Sequence, residues 1–127
     1  MPLCSLEEAL EDLKAGKFVI VVDDERRENE GDLVMFAETV TPEAVNFAVT
    51  EARGLLCMPI IGERLDELDI PLMIAQNTST KNHTAFTVSI DYNQGTTTGI
   101  SAQDRSATIR ALIDPKVRGD KLSRPGH

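Results

Sequence analysis

The chain is short of cysteine, of positive charge and of long apolar runs, and each shortage excludes something. Only Cys4 and Cys57 occur among 127 residues, with no CxxC pair and nothing to complete a zinc pattern. That excludes a disulfide framework and a structural zinc site, and it suits a reducing compartment. Thirteen basic residues stand against 21 acidic ones, for a net charge of −8. An acid excess argues against non-specific binding to nucleic acid or to an anionic membrane. Any anionic substrate must then be met by basic residues gathered locally. No apolar run approaches the roughly 20 residues of a membrane span. The N-terminus lacks a signal-peptide pattern, and no internal repeat or low-complexity stretch occurs. A cytoplasmic protein with no nucleic-acid and no membrane partner is expected.

What is present is an ordinary globular composition, 41% hydrophobic and 27% charged, at a length typical of one domain. Folding such a chain buries roughly two-thirds of its unfolded surface, enough for a real core. Helix and strand signals alternate. Ser5 and Glu8 form a capping box ahead of Leu6, Leu10 and Leu13 at helical spacing, and Gly16 is the stop. A strand is predicted over Phe18–Val22 and another over Leu33–Ala37. Thr41-Pro42 opens a second helix with the stripe Ala44, Val45, Ala48, Val49 and Ala52, ended by Gly54. Leu55–Met58 reads as a short buried strand, and Gly62–Leu68 as a short helix turning Leu65 and Leu68 inward. Asn77–Asn82 is loop-like. His83–Asp91 alternates, with Phe86, Val88 and Ile90 on one face, and predicts a half-buried strand. Ser101 caps a third long helix, with Asp104 in capping-box position, Ile109, Leu112 and Ile113 on its apolar face, and Asp114-Pro115 at its end. The interleaving gives an α/β (α+β) class with a mixed β-sheet flanked by helices.

The densest chemistry lies between the first two strands. The ten residues Asp23–Asp32 hold six carboxylates and two arginines. Such crowding is repulsive unless a cation or an arginine offsets it, and hard oxygen ligands suit a divalent metal. A solvated charged turn is the plainer reading. In an extended backbone Arg27 and Glu28 point opposite ways, while Glu28, Glu30 and Asp32 share a face for metal binding or acid–base work. The glycine turn 95–99 leading into the helix after Ser101 is an anion site in form; its plainer reading is a capped helix with Asp104 and Arg105 solvated. His127, after Pro125-Gly126, sits on a loop rather than in a core, although chain ends are usually disordered. Cys57, inside an apolar run, reads as a buried inert thiol, and His83 as a structural residue.

Five motifs occur in order: Asp23-Asp-Glu-Arg-Arg-Glu-Asn-Glu-Gly-Asp32, Gly54-Leu-Leu-Cys-Met-Pro59, His83-Thr-Ala-Phe-Thr-Val-Ser-Ile-Asp91, Thr98-Gly-Ile-Ser-Ala-Gln-Asp-Arg105 and Arg124-Pro-Gly-His127. Together they resemble the 3,4-dihydroxy-2-butanone 4-phosphate synthase family over nearly the whole chain from about Ser5. The resemblance implies a lyase of riboflavin biosynthesis that converts D-ribulose 5-phosphate to 3,4-dihydroxy-2-butanone 4-phosphate and formate. It implies magnesium or manganese and a homodimer. By motif match, Glu28 is the metal ligand and contacts substrate with Arg27 and Asp32. His127 and Glu30 are catalytic, and Cys57, Thr108 and Asp24 are pocket positions. Family members continue past Arg-Pro-Gly-His into a Gly-His-Thr-Glu segment with a second metal-ligand histidine. Residues 1–127 are accordingly expected to be a single synthase domain, incomplete at its C-terminus, with little activity alone and apolar core surface uncovered. The alternative is a truncated metal- or sugar-phosphate-binding module without turnover.

Overall fold

Ser5 starts the first helix through the capping box its sequence encodes. Its hydroxyl accepts from the Glu8 N–H at 3.2 Å, and the Glu8 carboxylate accepts from the Ser5 N–H at 2.9 Å. The computed structural model describes residues 3–74 and 84–127. They fall into two compact units, Met1–Leu56 and Cys57–His127.

In the first unit, α1 (Leu6–Lys14) leads through Gly16, in the left-handed region, to the antiparallel hairpin β1 (Val19–Val22) and β2 (Gly31–Val34). The register pairs Val22 with Gly31 and Val19 with Val34. The second strand therefore begins before the predicted Leu33 and ends before Ala37. Pairing starts as soon as the acidic loop closes, and Ala37–Thr39 turn into a 3-10 helix instead. α2 (Pro42–Glu51) starts at Thr41, whose hydroxyl accepts from the Ala44 N–H. Of its predicted stripe only Val45 is fully buried, alongside Leu13 and Val40. Phe18 stacks on Phe47, while Ile20, Val21 and Val22 are exposed.

The second unit begins with an extended segment rather than the strand predicted over 55–58. Met58 and Ile60 pack on the core, and the same alternation leaves Cys57, just ahead of Met58, facing outward. Cys57 is thus exposed, not the buried thiol its apolar neighbours suggest. α3 (Gly62–Glu67) follows, with Leu68 completely buried behind it. Of the strand predicted over 83–91, the described residues show a bridge between Leu72 and Thr87 and β3 (Asp91–Tyr92). Val88 and Ile90 still pack inward, whereas Phe86 is exposed. Residues 77–83, including His83, lie outside the described set.

α4 (Ala102–Ile113) is capped by the Ser101 hydroxyl, and β4 (Leu122–Ser123) pairs antiparallel with β3. The core joins Leu68, Ile70, Ala111, Leu112, Val117 and Leu122. Arg64 locks α3 to the end of α4, donating from Nε to the Leu112 carbonyl at 3.0 Å and from Nη2 to the Asp114 carbonyl at 2.6 Å. The class is α+β, and the described strands all pair antiparallel.

Candidate active site

The acidic loop is organised by one carboxylate. Asp23 Oδ1 accepts from the Glu30 N–H at 2.9 Å, and Oδ2 accepts from the Glu28 N–H at 3.0 Å. The Arg27 guanidinium adds a third contact to Oδ2 at 2.8 Å. These bonds, the one to the Glu30 N–H foremost, hold the Asp23 carboxyl below the usual range. Asp24 accepts from the Arg26 N–H, and Asn29 takes the left-handed backbone that asparagine tolerates. Residues 25–28 therefore turn rather than extend. Arg27 and Glu28, predicted to diverge, instead meet at 3.4 Å between Nη1 and Oε2. Three arginine contacts and three backbone donors offset the repulsion that the loop's charge creates.

Glu30 and Asp32 are exposed, and Glu28 lies at the surface of the same hairpin. Among the described residues no group of three or more histidine, cysteine or acidic side chains is assembled for a metal. The donors nevertheless suit a hard divalent ion. Magnesium is commonly held through one or two carboxylates and keeps several waters, which exposed Glu28 and its neighbours permit.

The second unit presents His127. Asp91, only 8% exposed, accepts from the His127 N–H through Oδ1 at 2.9 Å, and its Oδ2 lies 2.9 Å from the ring Nδ1. The Gly126 N–H donates to both the carbonyl and the hydroxyl of Ser89. The end of the chain is thus tied to residues 89–91. Arg124 supports it, donating from Nη2 to the Leu68 carbonyl at 2.6 Å, and the Arg124-Pro125 bond is cis.

The glycine turn is not the solvated cap its sequence suggests. Asp104 is 3% exposed. Its Oδ2 accepts from the Thr97 hydroxyl at 2.7 Å and from the Gly99 N–H at 3.0 Å. Asp104 therefore does not close a capping box. It folds the preceding turn onto α4. Arg105 is partly buried, with Nε lacking a partner among the described residues. Thr108 accepts from the Tyr92 N–H and donates to the Asp104 carbonyl, so its hydroxyl joins α4 to β3. A shallow cavity beside α4, lined by Tyr92, Arg110 and Asp114 among others, contains none of the predicted site residues.

The Asp104 bonds, first the Thr97 hydroxyl and then the Gly99 amide, lower its pKa below the ordinary 3.8. A depressed carboxylate stabilises the fold above its unfolded pKa and loses that contribution as pH falls through the folded value. Asp104→Asn should therefore unfold at a lower temperature than the parent at pH 7. The gap should narrow as pH drops through 3.8 and below. Melting curves across that range check it, and a gap independent of pH would contradict the account.

Sequence reasoning named Glu28, Glu30, Asp32, Arg27 and His127 but missed Asp23 as the loop's organiser and Asp91 as the partner of His127. Asp23 is visible in hindsight as the acid opening a loop whose amides it can reach. Asp91 carries no local signal, because its partner is 36 residues away.

A family model described as 3,4-dihydroxy-2-butanone 4-phosphate synthase matches residues 7–127. The chain is 58% identical over 125 residues to the riboflavin biosynthesis protein RibBA of Synechocystis sp., covering 97% of this chain and 22% of that protein. It is 52% identical over 127 residues to the 3,4-dihydroxy-2-butanone 4-phosphate synthase of Agrobacterium fabrum, covering all of this chain and 59% of that one. A crystal structure of a 3,4-dihydroxy-2-butanone 4-phosphate synthase in complex with two magnesium ions superimposes with a TM-score of 0.93 at 42% identity, over 98% of this chain and 58% of that one. The chain thus spans less than two-thirds of the length of these relatives. With the Asp23-held loop and the anchored His127 in place, a match over residues 7–127 means that the chain belongs to the 3,4-dihydroxy-2-butanone 4-phosphate synthase family.

Proposed function

We infer that the chain serves as a metal-dependent lyase that converts D-ribulose 5-phosphate to 3,4-dihydroxy-2-butanone 4-phosphate and formate in riboflavin biosynthesis. The observation that carries this reading is the Asp23-held turn, which fixes Arg27 against Glu28 and presents Glu28, Glu30 and Asp32 on one exposed hairpin. Glu28 is the metal ligand, with magnesium or manganese as the ion. A bound divalent ion supplies Lewis-acid stabilisation of negative charge on the substrate's carbonyl and hydroxyl oxygens. Arg27 and Asp32 hold the substrate. Glu30 and the His127 imidazole move protons, taking one from carbon and returning protons to the leaving hydroxyl and to the product. One water leaves in the dehydration and one enters to release the terminal carbon as formate, so atoms balance. Cys57, exposed beside Met58, contacts substrate, whereas Thr108 serves the pocket by fixing β3 to α4.

The 127 residues form part of a single synthase domain in a cytoplasmic homodimer. Exposed Ile20, Val21, Val22 and Phe47 support an association surface. No described helix is long and apolar enough to cross a membrane. Protein carrying the whole synthase domain, stripped with a chelator, should release no formate from ribulose 5-phosphate, and added magnesium or manganese should restore it. Formate release in excess chelator would overturn the metal assignment. Metal and substrate binding without formate would instead favour a non-catalytic sugar-phosphate module.

A further inference from the structure

The geometry points to Asp91 as the positioning residue for the His127 imidazole, an inference that rests on the proton-transfer role proposed above for His127. The carboxylate gives one oxygen to each of two donors on the same residue. Oδ1 accepts from the His127 N–H at 2.9 Å, and Oδ2 faces ring Nδ1 at 2.9 Å. This two-point grip fixes the backbone of His127 and the plane of its ring together. The Asp91 side chain is 12% exposed while the imidazole is 40% exposed, so the buried partner orients and the exposed one remains accessible.

The carboxylate has nowhere else to go. A Cβ on Gly99 would lie 2.0 Å from Asp91 Oδ2, and one on Gly126 would lie 2.7 Å from its Cγ. Those two glycines are the walls of its slot. Two other charged side chains of this unit make their side-chain bonds elsewhere. Arg124 donates to the carbonyls of Leu68, Gly119 and Leu122. Asp104, on α4, accepts from Thr97 and Gly99. Asp91 is therefore the charge that His127 meets.

An ionised carboxylate can only accept, so Nδ1 must carry the ring proton. The lone pair is then on Nε2. A proton abstracted from the substrate goes to Nε2, its electron pair stays on the substrate, and the imidazolium so formed is held by the Asp91 charge until Nε2 gives the proton back. Tautomer control of this kind needs no contact between Asp91 and the substrate.

Asp91→Asn tests it with an isostere. The asparagine oxygen can still accept from the His127 N–H, while its NH2 group faces Nδ1 and demands the opposite tautomer. Ring nitrogen NMR of the parent should show protonated Nδ1 and free Nε2, and of D91N the reverse. Formate release by the full metal-loaded chain should fall about 10²- to 10⁴-fold in kcat. KM should change less than about threefold, since Asp91 does not touch substrate. A parent ring protonated at Nε2 overturns the proposal whether or not D91N folds. A D91N kcat close to the parent's also overturns it. His127→Gln separates the two levels: parental activity in H127Q would defeat the proton-transfer role of His127 itself.

Discussion

Glu28→Gln should abolish metal-dependent formate release, lowering it by about 10³-fold or more. Glutamine keeps the length and shape of the side chain but has no negative charge to offer a hard cation. The backbone of the loop is indifferent to the change, because Asp23 holds residue 28 through its N–H, at 3.0 Å, rather than through its side chain. The Arg27–Asp23 contact at 2.8 Å is likewise retained. Stability should therefore move within about 0.5 kcal/mol, or rise slightly as one of six crowded carboxylates is neutralised. Three measurements make the case: calorimetric magnesium titration, formate release at saturating metal, and a melting curve. Lost metal affinity and lost turnover with an unchanged melting temperature are expected. Normal turnover would remove Glu28 from the site, and a large drop in melting temperature would mean the side chain is structural.

That separation between what holds the loop and what works in it was only half legible in the sequence. The helix starts were readable because caps are local. Ser5 with Glu8, Thr41 with Pro42, and Ser101 all act within three residues of themselves. The apolar runs were readable as extended, but their pairing was not, since a strand needs a distant partner. Residues 55–58 are not part of a strand and run as an extended segment, so Cys57 faces out on alternation alone. The acidic loop announced chemistry by its charge. It did not announce that Asp23 accepts from two backbone amides and one guanidinium, which turns Arg27 toward Glu28. Nor did composition distinguish Asp104, taken for a solvated cap, from the buried acceptor of Thr97 and Gly99. Charged residues are read from sequence as surface; the exceptions are those whose donors are supplied by the fold.

Gly126→Ala should strongly destabilise the second unit's site. A Cβ there would sit 2.3 Å from the Ile90 carbonyl carbon and 2.4 Å from the Asp91 nitrogen. Both are backbone atoms at the start of β3, so no side-chain rotation relieves the overlap. Either residues 124–127 or β3 must move, and movement breaks the Gly126–Ser89 bonds and the Asp91–His127 pair together. Overpacking against backbone costs about 3 kcal/mol, which lowers the melting temperature by about 10 °C in a chain of this size. Gly62→Ala is the control. Nothing lies within 4 Å of its added carbon, and at the start of α3 alanine should leave stability within about 1 kcal/mol of the parent. The folded fraction of G126A should also lose formate release, because His127 is no longer held at Asp91. Thermal unfolding of both variants, followed by circular dichroism, decides the matter. A G126A chain as stable as G62A would mean that the close approach of residue 126 to β3 is not what anchors the histidine.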